Sequence, residues 1–279
     1  MPPAPDTPLM TWDDLAAMPQ GAPDQTLTYG DDDLQRIDVW RPAGAGPHPT
    51  VLMVHGGCWT SSIADRSIMN PIAADLRARG YAVWNIDYRG VDRSGGGYPG
   101  TFRDVAAAAD RLRADGPRLG LDTSRIVAVG HSAGGHLALW LAGRERLPAG
   151  SPLRTADPLP IAHVISLGGL PDLARAQAET QGCGPEPVRA LIGEGRADPL
   201  ADISVPRLAP LGVAQTLVNG DSDRIIPTDF ATGYARDMSA TGDRVTVEIV
   251  PRTGHVELVS PGTAAWTRTV AAIDLAFGR

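Results

Sequence analysis

Lysine is absent from this 279-residue chain, and all 25 of its basic side chains are Arg. Without a side-chain amine there is no Schiff-base lysine, no lysine-held pyridoxal phosphate and no P-loop, because each depends on that group. Cysteine is nearly absent too. Cys58 and Cys183 have neither CxxC spacing nor companion ligands, so the pattern suggests neither a disulfide framework nor a zinc site, and Cys183 reads as a packing residue. No window approaches the ~18 apolar residues of a membrane span. The first twenty residues hold neither a basic n-region nor an apolar h-region, so no secretory signal is read and a cytoplasmic location is expected. A net charge of −7, with Arg scattered rather than clustered, argues against nucleic acid or an anionic membrane as partner. A small-molecule partner is more natural. Nothing in the composition sets an oligomeric state.

What is present is a folding sequence. The chain is 43% hydrophobic, and its 32 Gly and 25 Pro stay below the roughly 25–30% that marks a low-complexity chain. Thr50–Val54, Ala82–Ile86, Ile126–Val129, Val164–Leu167 and Ala214–Val218 are near-continuous apolar runs, the mark of parallel strands buried on both faces. Helical patterns lie between them, from Ile72 to Arg79 and through Phe102, Val105, Ala109 and Leu112. This alternation predicts an α/β fold, with helices on both faces of a mostly parallel twisted sheet of about eight strands. Leu27–Tyr29 and Leu34–Trp40 flank the turn-forming Gly30-Asp31-Asp32-Asp33 and read as an antiparallel edge hairpin. Arg244–Val250 alternates as a late strand, and Thr263–Phe277 closes the chain as a helix. Residues 171–206 are weakly patterned and read as a small cap insertion over the sheet. The whole chain, 1–279, is expected to be one domain.

The strand Ile126–Val129 runs into Gly130-His131-Ser132-Ala133-Gly134-Gly135, and a helical run follows. A serine in a strand-to-helix turn needs small residues two positions to either side, which makes this G-x-S-x-G a nucleophile elbow. Serine needs a base to take its proton and a third group to orient that base. After Ala214–Val218 the loop offers two carboxylates, Asp221 and Asp223, and after Arg244–Val250 comes His255, the only histidine beyond residue 163. The order Ser, Asp, His is the one this elbow type uses. Backbone N–H donors for a developing oxyanion are offered by Gly57 and Cys58 in His55-Gly56-Gly57-Cys58-Trp59, together with Ala133. His55 reads as holding its own loop, His131 as a packing residue or a pocket wall rather than a base, and Trp59 as a pocket aromatic. Asp104 opens a helix, where the macrodipole favours a carboxylate.

With these residues in order, the chain resembles the α/β-hydrolase fold from about residue 25 to its end. His55-Gly56-Gly57-x-Trp59 is similar to the HGGxW signature of arylformamidases (kynurenine formamidase-like) and small carboxylesterases. Tyr88-Arg89, Tyr98-Pro99 and Asp104-Val105 are similar to that branch and to hormone-sensitive-lipase-like esterases. The resemblance implies Ser132 as nucleophile, His255 as base, and Asp223 as the acid, since Asp223 heads a D-x-x-[VI]-P pattern ending at Pro227. It implies Gly57, Cys58 and Ala133 as oxyanion donors, with Trp59 and His131 in the substrate pocket. A cofactor-free and metal-free serine hydrolase of small carboxylic esters is expected, with the cap deciding specificity. The alternatives are an arylformamidase acting on N-formylkynurenine and, from another class, a non-catalytic ligand-binding protein on the same fold.

Overall fold

The computed structural model describes residues 8–179 and 182–279. Eight strands form one sheet: β1 (Gln25–Thr28), β2 (Arg36–Trp40), β3 (His48–Val54), β4 (Ala82–Ile86), β5 (Leu121–His131), β6 (His163–Leu167), β7 (Ala214–Gly220) and β8 (Val245–Val250). Their spatial order is β1-β2-β4-β3-β5-β6-β7-β8. The edge hairpin β1–β2 is antiparallel and joins β4 antiparallel, whereas every pairing from β4 through β8 is parallel.

Alternate residues of the central strands feed two cores, as the period-2 geometry of a strand requires. Val51, Met53, Val127 and Val129 point to one face, packing with Leu15 of α1 (Trp12–Ala17), with α2 (Asn70–Ala78) and with α8 (Ala264–Phe277). Leu52, Val54 and Ala128 point to the other. There they meet α3 (Gly100–Asp115), α4 (Ala133–Ala142), α5 (Leu173–Ala178), α6 (Pro185–Ile192) and α7 (Asp229–Ala240). All five residues of β4 are buried, so the strand carries no polar alternation.

Residues 171–206 contain α5 and α6, which pack on one another. The insertion is moored to α4 by two bonds: the Trp140 indole N–H donates to the Asp202 carbonyl at 2.8 Å, and His136 Nε2 meets the Ile203 carbonyl at 2.8 Å. A disulfide joins Cys58, just after β3, to Cys183, between α5 and α6, with Cα atoms 5.4 Å apart. This corrects the expectation that no disulfide forms and that Cys183 only packs. Cysteines 125 positions apart meet because α5–α6 folds back beside the β3 turn, a through-space fact that linear spacing does not carry.

Candidate active site

Ser132 follows directly on β5 and has φ 54° and ψ −122°, a backbone region that costs a non-glycine residue roughly 1–3 kcal/mol. Its glycines explain how the turn closes. A Cβ on Gly130 would lie 2.1 Å from the Gly134 carbonyl oxygen, and one on Gly134 would lie 2.1 Å from that of Val54. Neither position admits any other residue. The Ser132 N–H donates to the Leu167 carbonyl at 2.8 Å, and the Ser132 carbonyl accepts from Gly135 N–H at 2.8 Å. The turn is thus tied to β6 while α4 begins at Ala133, leaving that helix's first amides beside the serine hydroxyl.

The loops after β7 and β8 bring a carboxylate to a histidine. Asp223 Oδ2 lies 2.6 Å from His255 Nδ1, and Asp223 Oδ1 accepts the Ile225 and Ile226 N–H groups at 2.8 and 2.9 Å. Both oxygens are engaged, so the carboxylate is fixed against the imidazole. Asp221 turns the other way. Its Oδ1 accepts the Arg252 N–H at 2.7 Å and the Ser222 hydroxyl at 2.8 Å, on the protein surface. Of the two carboxylates the sequence offers, Asp223 is the one that meets His255.

His131, buried beside Ser132, has its ring 4.4 Å from that of His255. Its Nε2 lies 3.2 Å from the His255 carbonyl oxygen, an acceptor, so Nε2 carries the proton, and among the described residues Nδ1 has no partner. Burial first, and the neighbouring His255 second, push the His131 ring well below the usual histidine range. It is a neutral wall of the cavity.

Trp59 is not. It is fully buried and does not line the cavity, which corrects its reading as a pocket aromatic. Cys58 and Trp59 both have left-handed φ, 51° and 55°, and the reversal turns the indole into the core. There its N–H donates to His136 Nδ1 at 3.2 Å. Gly57 and Cys58 line the cavity. Among the described residues the Gly57, Cys58 and Ala133 amides meet no backbone or side-chain acceptor. His55 contacts the Gly56 carbonyl at 2.7 Å, as expected of a loop-holding residue. Its other nitrogen reaches Asp87 at 2.9 Å, and Asp87 also holds Arg66 at 2.9 Å. Asp104 belongs to a different kind of contact from the one expected. It lies past the first turn of α3 and, itself buried, pairs with the partly exposed Arg89 through two bonds of 2.8 Å.

Ser132, His255 and His131 open into a cavity of about 570 Å³, within the usual range for small-molecule sites. Ile63, Ala64, Ile68 and Ile225 form much of its wall, and Trp12, Leu15, Ala16 and Gln20 complete it. No Arg, Asp or Glu lines it among the described residues. No described residue of 171–206 lines it either, which corrects the expectation that this insertion shapes the pocket. Among the described residues the insertion touches the cavity's lining from behind, through the bond from Cys183 to Cys58 and through Gly182 packed against Ile225. The wall supplied by α1 went unread. Its signal is the T-x-x-D of Thr11 and Asp14, a capping box with both reciprocal bonds formed.

The BD-FAE family matches residues 37–234. The chain belongs to that family. Over 136 residues it is 36% identical to Esterase LipC of Mycobacterium tuberculosis, covering 45% of this chain and 32% of that protein. Over 130 residues it is 33% identical to Carboxylesterase NlhH of the same organism, covering 45% and 40%. The matched stretch thus spans about a third of one relative's length and two-fifths of the other's. Among solved structures, a truncated carbohydrate esterase from gut microbiota superposes with a TM-score of 0.77 at 20% identity, covering 92% of this chain and 98% of that one. Esterase B from Lactobacillus rhamnosis superposes at 0.75 and 18%, covering 96% and 90%. The fold is the α/β-hydrolase fold. Among the described residues no helix is long and apolar enough to cross a membrane.

Proposed function

We propose that this BD-FAE family member is a carboxylic ester hydrolase working through Ser132, His255 and Asp223. The observation that carries the reading is the 2.6 Å contact between Asp223 Oδ2 and His255 Nδ1, with Ser132 on a strained turn opening into the same cavity as the imidazole. Asp223 accepts a hydrogen bond from the Nδ1–H of His255, which keeps that proton on Nδ1 and leaves Nε2 as the free base. The Ser132 hydroxyl gives its proton to Nε2 as its oxygen attacks the ester carbonyl carbon. The negative charge that develops on the carbonyl oxygen is received by the Gly57, Cys58 and Ala133 N–H groups. His255 returns the proton to the leaving alkoxide, and an acyl-serine remains. Water activated by the same nitrogen then releases the acid.

Uncharged esters fit this cavity best, because its described lining is apolar apart from the histidines, Ser132, Ser67, Gln20 and backbone. N-formylkynurenine carries an amino-acid ammonium and carboxylate, and no described lining residue offers a counter-charge to either. That supports esters over the formamide alternative. Retention of all three reacting side chains supports an enzyme over a ligand-binding protein. A cytoplasmic location sits against the Cys58–Cys183 bond, since cytosolic thiol pools keep cysteines reduced, and we assign the oxidised protein to an oxidising compartment.

The test is p-nitrophenyl butyrate hydrolysis by the parent and by Ser132→Ala. The variant is expected to keep its circular dichroism and to lose on the order of 10⁶ in kcat. Activity within tenfold of the parent overturns the assignment.

A further inference from the structure

We propose that α1, through Trp12, is the wall that limits how long an acyl chain the cavity accepts. This rests on the esterase reading above and goes beyond it by moving specificity from the 171–206 insertion to the N-terminal segment. Three observations lead there.

The first is position. Trp12, Leu15 and Ala16 line one side of the cavity. The Trp12 indole stands edge-on to both imidazoles at its inner end, 6.1 Å from the His131 ring and 6.3 Å from that of His255. It is 43% exposed, so one edge faces solvent while the other faces the histidines. An aromatic in that place closes the opening beside the reacting atoms and sets where a bound chain must stop.

The second is how a helix of six residues stays there, since so short a segment is not stable alone. Glu257 is buried, and its two oxygens accept two backbone N–H groups, Met10 at 2.6 Å and Gly254 at 3.1 Å. One carboxylate therefore binds the N-terminal segment to the residue preceding His255. At the other end the Gln20 amide donates to the Leu15, Ala16 and Met18 carbonyls at 2.9, 3.3 and 3.0 Å. Leu15 is packed into the core beneath α2 and α8. The wall is held at both ends and from below.

The third is that no described residue of 171–206 takes part in the lining: apart from α1, Gln20 and the reacting residues, the wall comes from Gly57, Cys58, the Ile63–Ile68 segment and Ile225.

The experiment measures kcat/KM for p-nitrophenyl acetate through decanoate with the parent, Trp12→Ala, Trp12→Phe and Thr11→Ala, subtracting hydrolysis by Ser132→Ala. Trp12→Ala is expected to raise the decanoate-to-acetate ratio at least tenfold, and Trp12→Phe to fall between it and the parent. Thr11 does not line the cavity but caps α1 through its bond from Asp14 N–H. Its alanine variant frays the wall without removing the indole and is expected to move the ratio the same way by a smaller factor. A Trp12→Ala ratio within threefold of the parent, or a lower one, overturns the proposal while the esterase reading stands. No Ser132-dependent hydrolysis of any ester by the parent overturns both.

Discussion

Cys58 and Cys183 join the turn that follows β3 to the α5–α6 insertion, across 125 positions of chain. Because Cys58 lies in the turn proposed to receive the oxyanion, the bond braces a reacting backbone as well as the fold. Closing so long a loop restricts the unfolded chain, and Cys183→Ser or reduction by dithiothreitol is expected to cost about 2–4 kcal/mol in denaturant unfolding. Relaxation of the turn is expected to lower kcat roughly tenfold, a fraction of the ~10²–10³ lost when an oxyanion donor is removed outright. Melting curves and butyrate turnover with and without reductant decide it. Identical values in both conditions would refute the brace.

The two carboxylates after β7 separate in the same assay. Asp223→Asn is expected to lower kcat on the order of 10⁴, because the imidazole is then held in the wrong tautomer. Asp221→Asn leaves the His255 contact untouched and weakens surface loop bonds to Arg252 and Ser222, for a stability loss of about 1–2 kcal/mol. An inactive Asp221→Asn beside an active Asp223→Asn would reverse the assignment.

His136 makes the fold acid-sensitive. It is fully buried, and that burial lowers its ring to about 4, against the Ile203 carbonyl contact that raises it. Its Nδ1 must stay bare to accept the Trp59 indole N–H. The folded value lies below the unfolded ~6.5, so the unfolded chain binds the extra proton first. Stability is full above about pH 6.5 and falls as the pH drops toward 4, by up to about 3 kcal/mol from this group. Urea midpoints at pH 7 and pH 5 should differ in that direction, and His136→Gln should flatten the difference. Equal slopes for parent and variant would show that other groups govern acid unfolding.

The sheet was legible because burial on both faces makes a strand a continuous apolar run. Ala82–Ile86 was bounded to the residue for that reason. The Ile126–Val129 run is shorter than β5, since Asp122–Arg125 is polar and runs from half-buried to exposed, although the strand begins at Leu121. Ser132, Asp223 and His255 were legible because each sits where a strand ends. The misreadings share a cause in contacts distant along the chain. The cysteine pair, the Arg89–Asp104 pair and the Trp59–His136 bond depend on where loops travel, and none leaves a periodic mark. α1 is too short to show helical period, so its capping pair was its whole signature.

The two ends of the described chain share one face of the sheet but lie at opposite ends of its strands. Met10 is held by Glu257 beside the cavity, whereas Arg279 lies over Tyr81, where β4 is about to begin. Immobilising the protein through Arg279 therefore presents the entrance to the solution. A linker attached at Met10 would crowd the doorway, so an immobilised catalyst should work best when mounted by Arg279.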